Sequence, residues 1–418
     1  MREPGARPFR LLWGATMVSA LGDGMYLAAL PLLAATVTRD PALIAMVTVA
    51  AKLPWVLIGP FTGALTDRLD RIRLLHRVAF FQALVIGLFG LAVGAGAASL
   101  GLIVLVAFVL ASSDTLSMNA SSAAVPDLVD NKRLPTANSW LQGGQSMAGD
   151  LLGVAVGALL FGFAQWLPFA LDSVSYALAA LLLLRIRRPG NPPVRERITL
   201  GGLKRDVAEG GRWLARHRLL RMLCALTALD NFATVGVQSI AVLYALEVLG
   251  VGAGTYGLLM AVIAVGGAVG LLIAPMLCDR FGLGATLRLR FLLSPLPFLL
   301  TGLITHPLVA AGAFFFVGLS VILGNVASIT LRQELVPRQL FGRVNASFRV
   351  VAVGIGPLGG GVAGWIAQVY GLRAPFFVGA ATLLVTGLVA LWALSPRALR
   401  FAEQPSACGA AGGGGSAR

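Results

Sequence analysis

The nine residues Gly63-Ala64-Leu65-Thr66-Asp67-Arg68-Leu69-Asp70-Arg71 decide how this chain is read. They place four charges between two long apolar runs, 42–66 and 74–97. A helix needs about 20 mainly apolar residues to cross the hydrocarbon core of a bilayer. Both flanking runs reach that length, so the nonapeptide is a short charged turn between two membrane helices.

Working outward, apolar runs between charge and turn clusters number twelve: 9–37, 42–66, 74–97, 100–122, 138–162, 167–184, 219–246, 255–277, 286–304, 307–330, 345–369 and 373–394. The ninth is the weakest. Its clean apolar stretch begins at Phe291, after Arg288 and Arg290, which are expected to snorkel to the interface. Composition agrees with so many spans. Apolar residues make up 57% of the chain, charged residues 12%, and mean hydropathy is +0.84. A soluble domain carries about twice that share of charge, roughly 25%. A soluble enzyme, a disordered protein and a disulfide scaffold are excluded. Arg2, Arg7 and Arg10 before the first run imitate a signal peptide, but the run is too long and lacks a small-residue cleavage site. Cys224, Cys278 and Cys408 lie far apart, as do His76, His217 and His306 near helix ends, so no metal or other cofactor is expected.

The net charge of +15 has a pattern. Arg68, Arg71, Arg73 and Arg77 follow the second run, and eleven basic residues lie between Arg185 and Arg221. The opposite loops hold only Arg39 and Arg373. Lys and Arg mark cytoplasmic loops, so both termini are expected in the cytoplasm of a multi-pass cell-membrane protein. The charge reads as topology and attraction to anionic headgroups, not as nucleic-acid binding. Residues 185–218 divide the chain, with a Pro/Gly linker leading into a basic amphipathic surface helix. The expected organisation is a six-helix bundle over 1–184, that linker, a second six-helix bundle over 219–396, and a disordered Gly-rich tail over 397–418. The fold class is an all-α integral membrane protein of twelve helices in two pseudo-symmetric bundles.

The bundles echo one another. Asp67-Arg68 recurs as Asp279-Arg280, 212 residues on, and Val125-Pro126 as Val336-Pro337 after 211. Gly153 and Gly157 match Gly360 and Gly364, and Asp23 matches Asp230, each pair 207 residues apart. Four pairs in so narrow a band of offsets, each on the equivalent span, indicate a duplication. Parallel repeats of this kind build alternating access in secondary transporters.

The opening nonapeptide resembles the G-x-L-x-D-R-x-G-R loop of the major facilitator superfamily, with Asp70 in place of the last glycine. With LRQELVPRQLFGRVNASFR (331–349) it is similar to the branch of macrolide-efflux and enterobactin-exporter-like proteins. The resemblance covers about 9–394. It implies that the first, fourth, seventh and tenth spans line a cavity, and that the second, fifth, eighth and eleventh pack across the halves. One departure concerns antiport. The G-x-x-x-G-P-x-x-G-G stretch of the fifth span in many antiporters has no proline here, while Gly356-Pro357-Leu358-Gly359-Gly360 stands on the eleventh.

The charged turn also has a physical role to play. Gly63 admits a close helix, Asp67 suits a helix N-terminus, and Arg68 and Arg71 offer partners to carboxylates on a moving half. Gly63, Asp67, Arg68, Arg71, Asp279 and Arg280 are therefore the candidate conformational latch.

Ionisable groups inside a membrane are costly and face a cavity or a partner. Asp23, Lys52, Asp150 and Asp230 count to mid-depth, and Asp114 lies on the inner half of the fourth span. Asp172 and Glu247 count to outer ends and are expected to be solvated. Asp23, Asp230 and Asp150 are the candidate proton-coupling residues. Lys52 reads as the one basic group deep in a span, with Asp23 or Asp150 as its expected partner. The candidate substrate cavity comprises Tyr26, Lys52, Asp114, Asn119, Gln142, Asn231, Gln238 and Asn325, with Trp140 and Tyr244 adding aromatic surface. So few hydrogen-bonding groups favour a bulky amphipathic ligand over a sugar.

The two G-x-G-x-x-G strings, 252–257 and 359–364, follow no strand and are not dinucleotide sites. No Walker or H-E-x-x-H motif occurs. An enzyme would call for a nucleophile–base or metal cluster, and a sensor for a sizeable soluble domain. The expected function is secondary transport by a monomer, with small molecules, protons and lipid as partners. Export of drug-like or secondary-metabolite compounds by proton antiport ranks ahead of siderophore export or uptake of a small metabolite.

Overall fold

The computed structural model describes residues 6–59, 62, 69–130, 133–186, 200–337 and 339–394, and all regular structure among them is helical. Among the described residues, eleven helices are long and apolar enough to cross a membrane. They run Arg7–Val37, Arg71–Gly94, Leu100–Leu128, Thr136–Phe163, Leu167–Leu184, Arg218–Val248, Ala253–Phe281, Leu283–Leu303, Pro307–Leu335, Phe341–Tyr370 and Ala374–Ala393. A shorter apolar helix, Pro41–Leu57, occupies the place of the second span. These twelve are the first to twelfth spans below. Residues 63–68, which include Gly63, Asp67 and Arg68 of the expected latch, lie outside the described residues, as do 187–199 and 395–418.

Local chemistry sets where helices begin. Asp40 accepts the Ala42 and Leu43 amides at 2.8 and 3.3 Å, just ahead of Pro41 in the first turn. Asp70 accepts the Arg73 amide at 3.0 Å, and Ser99 the Leu102 amide at 3.3 Å. His217 and His306 cap the seventh and tenth spans through Nδ1. A side-chain acceptor at this position satisfies an amide the helix leaves orphaned. The histidines therefore have a structural use.

Small residues set how helices approach. Gly24 of the first span lies against the backbone of Gly149 and Gly153 on the fifth, where no Cβ could fit. Gly257 of the eighth span meets Ala158 of the fifth, and Gly364 of the eleventh meets Ala42 and Ala45 of the second. Backbone-distance approach of this kind supports helix packing in lipid, where no hydrophobic drive exists between helices. The second–eleventh and fifth–eighth contacts join the first six spans to the last six. Around Gly149 and Gly153 the fifth span widens into a π-helical turn, Ser146–Gly153.

Apolar packing differs between the two ends of the molecule. At the end carrying Arg39 and Glu247, one buried cluster runs through both halves, from Leu30 and Leu33 to Leu243 and Tyr256. Arg39 and Glu247 pair there at 3.5 Å, and Gln368 donates to Asp40 at 2.9 Å. At the opposite end the cores are separate. One holds residues between Leu12 and Ile186 only, the other residues between Leu214 and Leu394 only. A helix, Leu200–Arg216, precedes the seventh span and docks on the eleventh through Glu209 and Arg343 at 2.8 Å.

Candidate functional site

Two buried polar centres sit in equivalent places. In the last six spans, Asp230 Oδ2 accepts from Arg290 NH2 at 2.5 Å, with the side chains 7% and 6% exposed. Arg290 also donates to the Ser320 carbonyl at 3.2 Å and lies 4.6 Å over the Phe291 ring. Gly324 leaves room for the guanidinium. Arg290 therefore does not snorkel. It turns inward from the ninth span, because an acid waits on the seventh and a glycine on the tenth. Nor is Lys52 the one basic group deep in the bundle.

Among the described residues, the first six spans solve the same problem without a cation. Asp23 of the first span accepts a hydrogen bond from the Tyr176 hydroxyl of the sixth. That hydroxyl also lies 3.2 Å from Asp114 Oδ1 on the fourth span. Gln82 of the third span donates to Asp114 Oδ1 at 2.5 Å and to the Tyr176 oxygen at 3.1 Å. Gln82 and Tyr176 are buried, Asp23 and Asp114 half-buried.

Asp172 is not a solvated outer group, as depth counting expects; it is 0% exposed. Ser175 donates to its Oδ1 at 3.1 Å, Gly22 of the first span packs on it, and Oδ2 has no hydrogen-bond partner among the described residues. The Tyr26 hydroxyl is likewise buried with no partner among the described residues, and it interacts electrostatically with Asp114, Asp172 and Asp23, so Tyr26 belongs to this acidic centre and not to an open cavity. Asp23, Asp114 and Asp172 are near enough to interact electrostatically, and no Lys, Arg or His among the described residues neutralises them.

The other expected site residues divide by exposure. Lys52 and Asp150 are exposed although protein surrounds both, and each senses the other's charge without an ion pair inside 4.0 Å. Lys52 does not pair with Asp23. Gln142, Gln238 and Asn325 are exposed. Asn119 instead donates to Thr62 Oγ1, just past the end of the second span, at 2.6 Å, and Asn231 ties the seventh span to the eleventh through the Ala352 carbonyl at 2.9 Å. Their amides are used in helix contacts. Tyr244 is fully buried and donates to the Thr301 carbonyl at 2.5 Å, so it adds no cavity surface. Trp140 is 61% exposed and its carbonyl accepts from Trp13 at 3.0 Å.

Of the expected latch, Arg71 donates to Asp127 at 2.5 Å and to the Ala123 carbonyl at 2.9 Å, joining the third span to the end of the fourth. Asp279 and Arg280 are exposed, and Arg280 stacks on Phe281 at 5.7 Å. No carboxylate among the described residues pairs with Arg280.

A family model described as Major Facilitator Superfamily matches residues 12–360. An uncharacterized MFS-type transporter of Sinorhizobium fredii, y4rN, is 27% identical over 403 residues, covering 92% of this chain and 94% of that protein. The multidrug efflux pump Tap of Mycolicibacterium fortuitum is 24% identical over 422 residues, covering 95% and 98%. Among solved structures, an inward-facing bacterial homologue of the human lysosomal transporter Spinster gives a TM-score of 0.75 at 15% identity, covering 97% of this chain and all of that one (100%). A bacterial homologue of the iron transporter ferroportin, also inward-facing, gives 0.72 at 17% identity over 93% and 99%.

Proposed function

We propose a function on one plain premise: the chain belongs to the major facilitator superfamily and is a multi-pass membrane transporter. The transport is export of amphipathic, drug-like or secondary-metabolite molecules in exchange for protons. One observation carries this reading: Asp23, Asp114 and Asp172 share an interior with no cation among the described residues. Carboxylates in a low-dielectric site need a partner or must be neutralised, and a proton is the smallest neutralising group. Asp23 and Asp114 are half-buried, so water can reach them when the bundle opens. Asp230, held by Arg290, has its charge balanced already and drops out of the coupling role. Asp150 and Lys52 stand in the open space and act on substrate.

The packing supports an alternating-access cycle. The core shared by both halves closes the Arg39–Glu247 end, while separate cores leave the other end parted. With the basic loops cytoplasmic, this state faces inward. The efflux pump of Mycolicibacterium fortuitum, similar over nearly its whole length, favours export over uptake.

The test is accumulation of a panel of amphipathic cationic, zwitterionic and anionic compounds in cells with and without this chain. Lower accumulation of some members, restored by collapsing the proton gradient, is expected. Higher accumulation, or export indifferent to the gradient, would overturn the reading.

A further inference from the structure

The hydrogen count around the Tyr176 oxygen carries an inference beyond the coupling role of Asp23, and it rests on that reading. A phenol has one hydrogen to donate and two lone pairs to accept with. Three polar atoms surround this one: Asp23 Oδ1, Asp114 Oδ1 and Gln82 Nε2. The amide can only donate here, and it takes one lone pair. The phenol hydrogen serves one carboxylate. The other carboxyl oxygen then faces a lone pair at hydrogen-bond distance, and it fits only if it brings a hydrogen of its own.

We propose that Asp23 and Asp114 hold a single proton in common, with Tyr176 as the positioning residue that joins them. Two arrangements satisfy every atom. In one, the Asp114 carboxyl donates to the phenol oxygen and the phenol donates to Asp23. In the other, the Asp23 carboxyl donates to the phenol and the phenol donates to Asp114. They interconvert by a concerted shift: one carboxyl O–H breaks as a new phenol O–H forms, and the old phenol O–H breaks as the opposite carboxyl O–H forms. No tyrosinate appears, and the charge of the centre does not change. Gln82 donates to Asp114 and Tyr176 in both arrangements, so it fixes the triangle without choosing between them.

Four spans supply the groups of the centre. The first span brings Asp23 and Tyr26, the third Gln82, the fourth Asp114, and the sixth Asp172 and Tyr176. No basic side chain among the described residues enters it. The arrangement gives the proton two mouths, one on the first span and one on the fourth. A proton taken up at one carboxylate can leave from the other when the half rocks.

Infrared spectroscopy of the purified full chain in lipid tests this without a known substrate. The carboxylic C=O band is recorded at neutral pH for the wild type and for Asp23→Asn, Asp114→Asn and Asp172→Asn. A shared proton predicts that one band disappears in both Asp23→Asn and Asp114→Asn, although each removes a different carboxyl, and persists in Asp172→Asn. Tyr176→Phe should shift that band, since the carboxyl loses its acceptor. A band that survives either of the first two substitutions would overturn the shared proton, as would an unshifted band in Tyr176→Phe. Should an Asn variant fail to fold, Tyr176→Phe alone decides. The coupling reading fails separately, if Asp23→Asn leaves gradient-driven transport intact whatever the infrared result.

Discussion

Asp23 and Asp230 occupy equivalent places, 207 residues apart, and live in opposite chemistry. Around Asp230 the ninth span supplies Arg290 and the tenth supplies Gly324 to make room for it. Around Asp23 the matching third-span position is Gln82, 208 residues before Arg290, and the fourth span supplies another acid, Asp114. One half carries its neutralising charge covalently, on an arginine. Under the proposed coupling the other collects it from solution, so that of two repeat-related acids one is a fixed strut and the other a site whose charge changes. Sequence equivalence alone would give both acids the same role.

The largest effect that would break this comparison is loss of the strut. Arg290→Met should strand Asp230 and destabilise the fold by about 3–5 kcal/mol, the usual scale for removing one partner of a buried pair. Replacing both, as Asp230→Asn with Arg290→Met, should recover most of that loss. Thermal unfolding in detergent measures each variant. Equal destabilisation by Asp23→Asn would mean that Asp23 is a strut as well.

Asp23→Asn is expected to keep the fold and abolish gradient-driven transport. Asn retains the acceptor that Tyr176 needs, and no cation is stranded. Flux under an imposed pH gradient, compared with exchange in its absence, reads the difference. Full gradient-driven flux in this variant would remove the functional half of the contrast.

A transplant sharpens it. Gln82→Arg brings the C-terminal solution into the N-terminal half. The new guanidinium should pair with Asp114 or Asp23, with a stability change inside about 1–2 kcal/mol because burial cost and attraction largely offset. Proton-driven transport should fall as far as in Asp23→Asn, since a fixed cation displaces a mobile one. Retained coupling would show that cation content is not what separates the halves.

The sequence made the frame legible and only half of this contrast. The twelve apolar runs and the charge asymmetry follow from what lipid demands of a chain, and the helices sit where those demands put them. Arg290 escaped because hydropathy places it at the start of a weak run beside Arg288, where snorkelling is the default. The two differ by about 200° around a helix, so one stays half-exposed while the other turns to Asp230. Asp172 reads as an outer group because depth along its own helix ignores where the neighbouring helix crosses it. The sixth span is only 18 residues long, and Asp172, five residues in, already meets Gly22 deep on the first. A signal for Tyr176 was present: it lies four residues after Asp172, on the same helical face. The Asp23–Tyr176–Asp114 junction itself joins three spans, and no local pattern encodes it.

The smallest expected effect concerns Lys52, and it tests whether the N-terminal half really lacks a cation where its acids meet. Depth counting places Lys52 beside Asp23 or Asp150, so that removing it would strand a buried carboxylate. The structure keeps it from Asp23 and leaves it within reach of Asp150's charge. Lys52 is exposed within the bundle, and the carboxylate that senses it is Asp150, exposed on the π-helical turn of the fifth span. Water can solvate Asp150 once the ammonium is gone, so Lys52→Ala should change stability by no more than about 1 kcal/mol, as for other solvent-accessible pairs. Its effect with Asp23→Asn should be additive, since sites without shared partners act independently. Its effect with Asp150→Asn should show only a small coupling. Thermal unfolding of the two double variants measures both. Strong coupling between Lys52 and Asp23 would mean that the acidic centre borrows a cation after all, and the two halves would then differ in distance of pairing, not in kind.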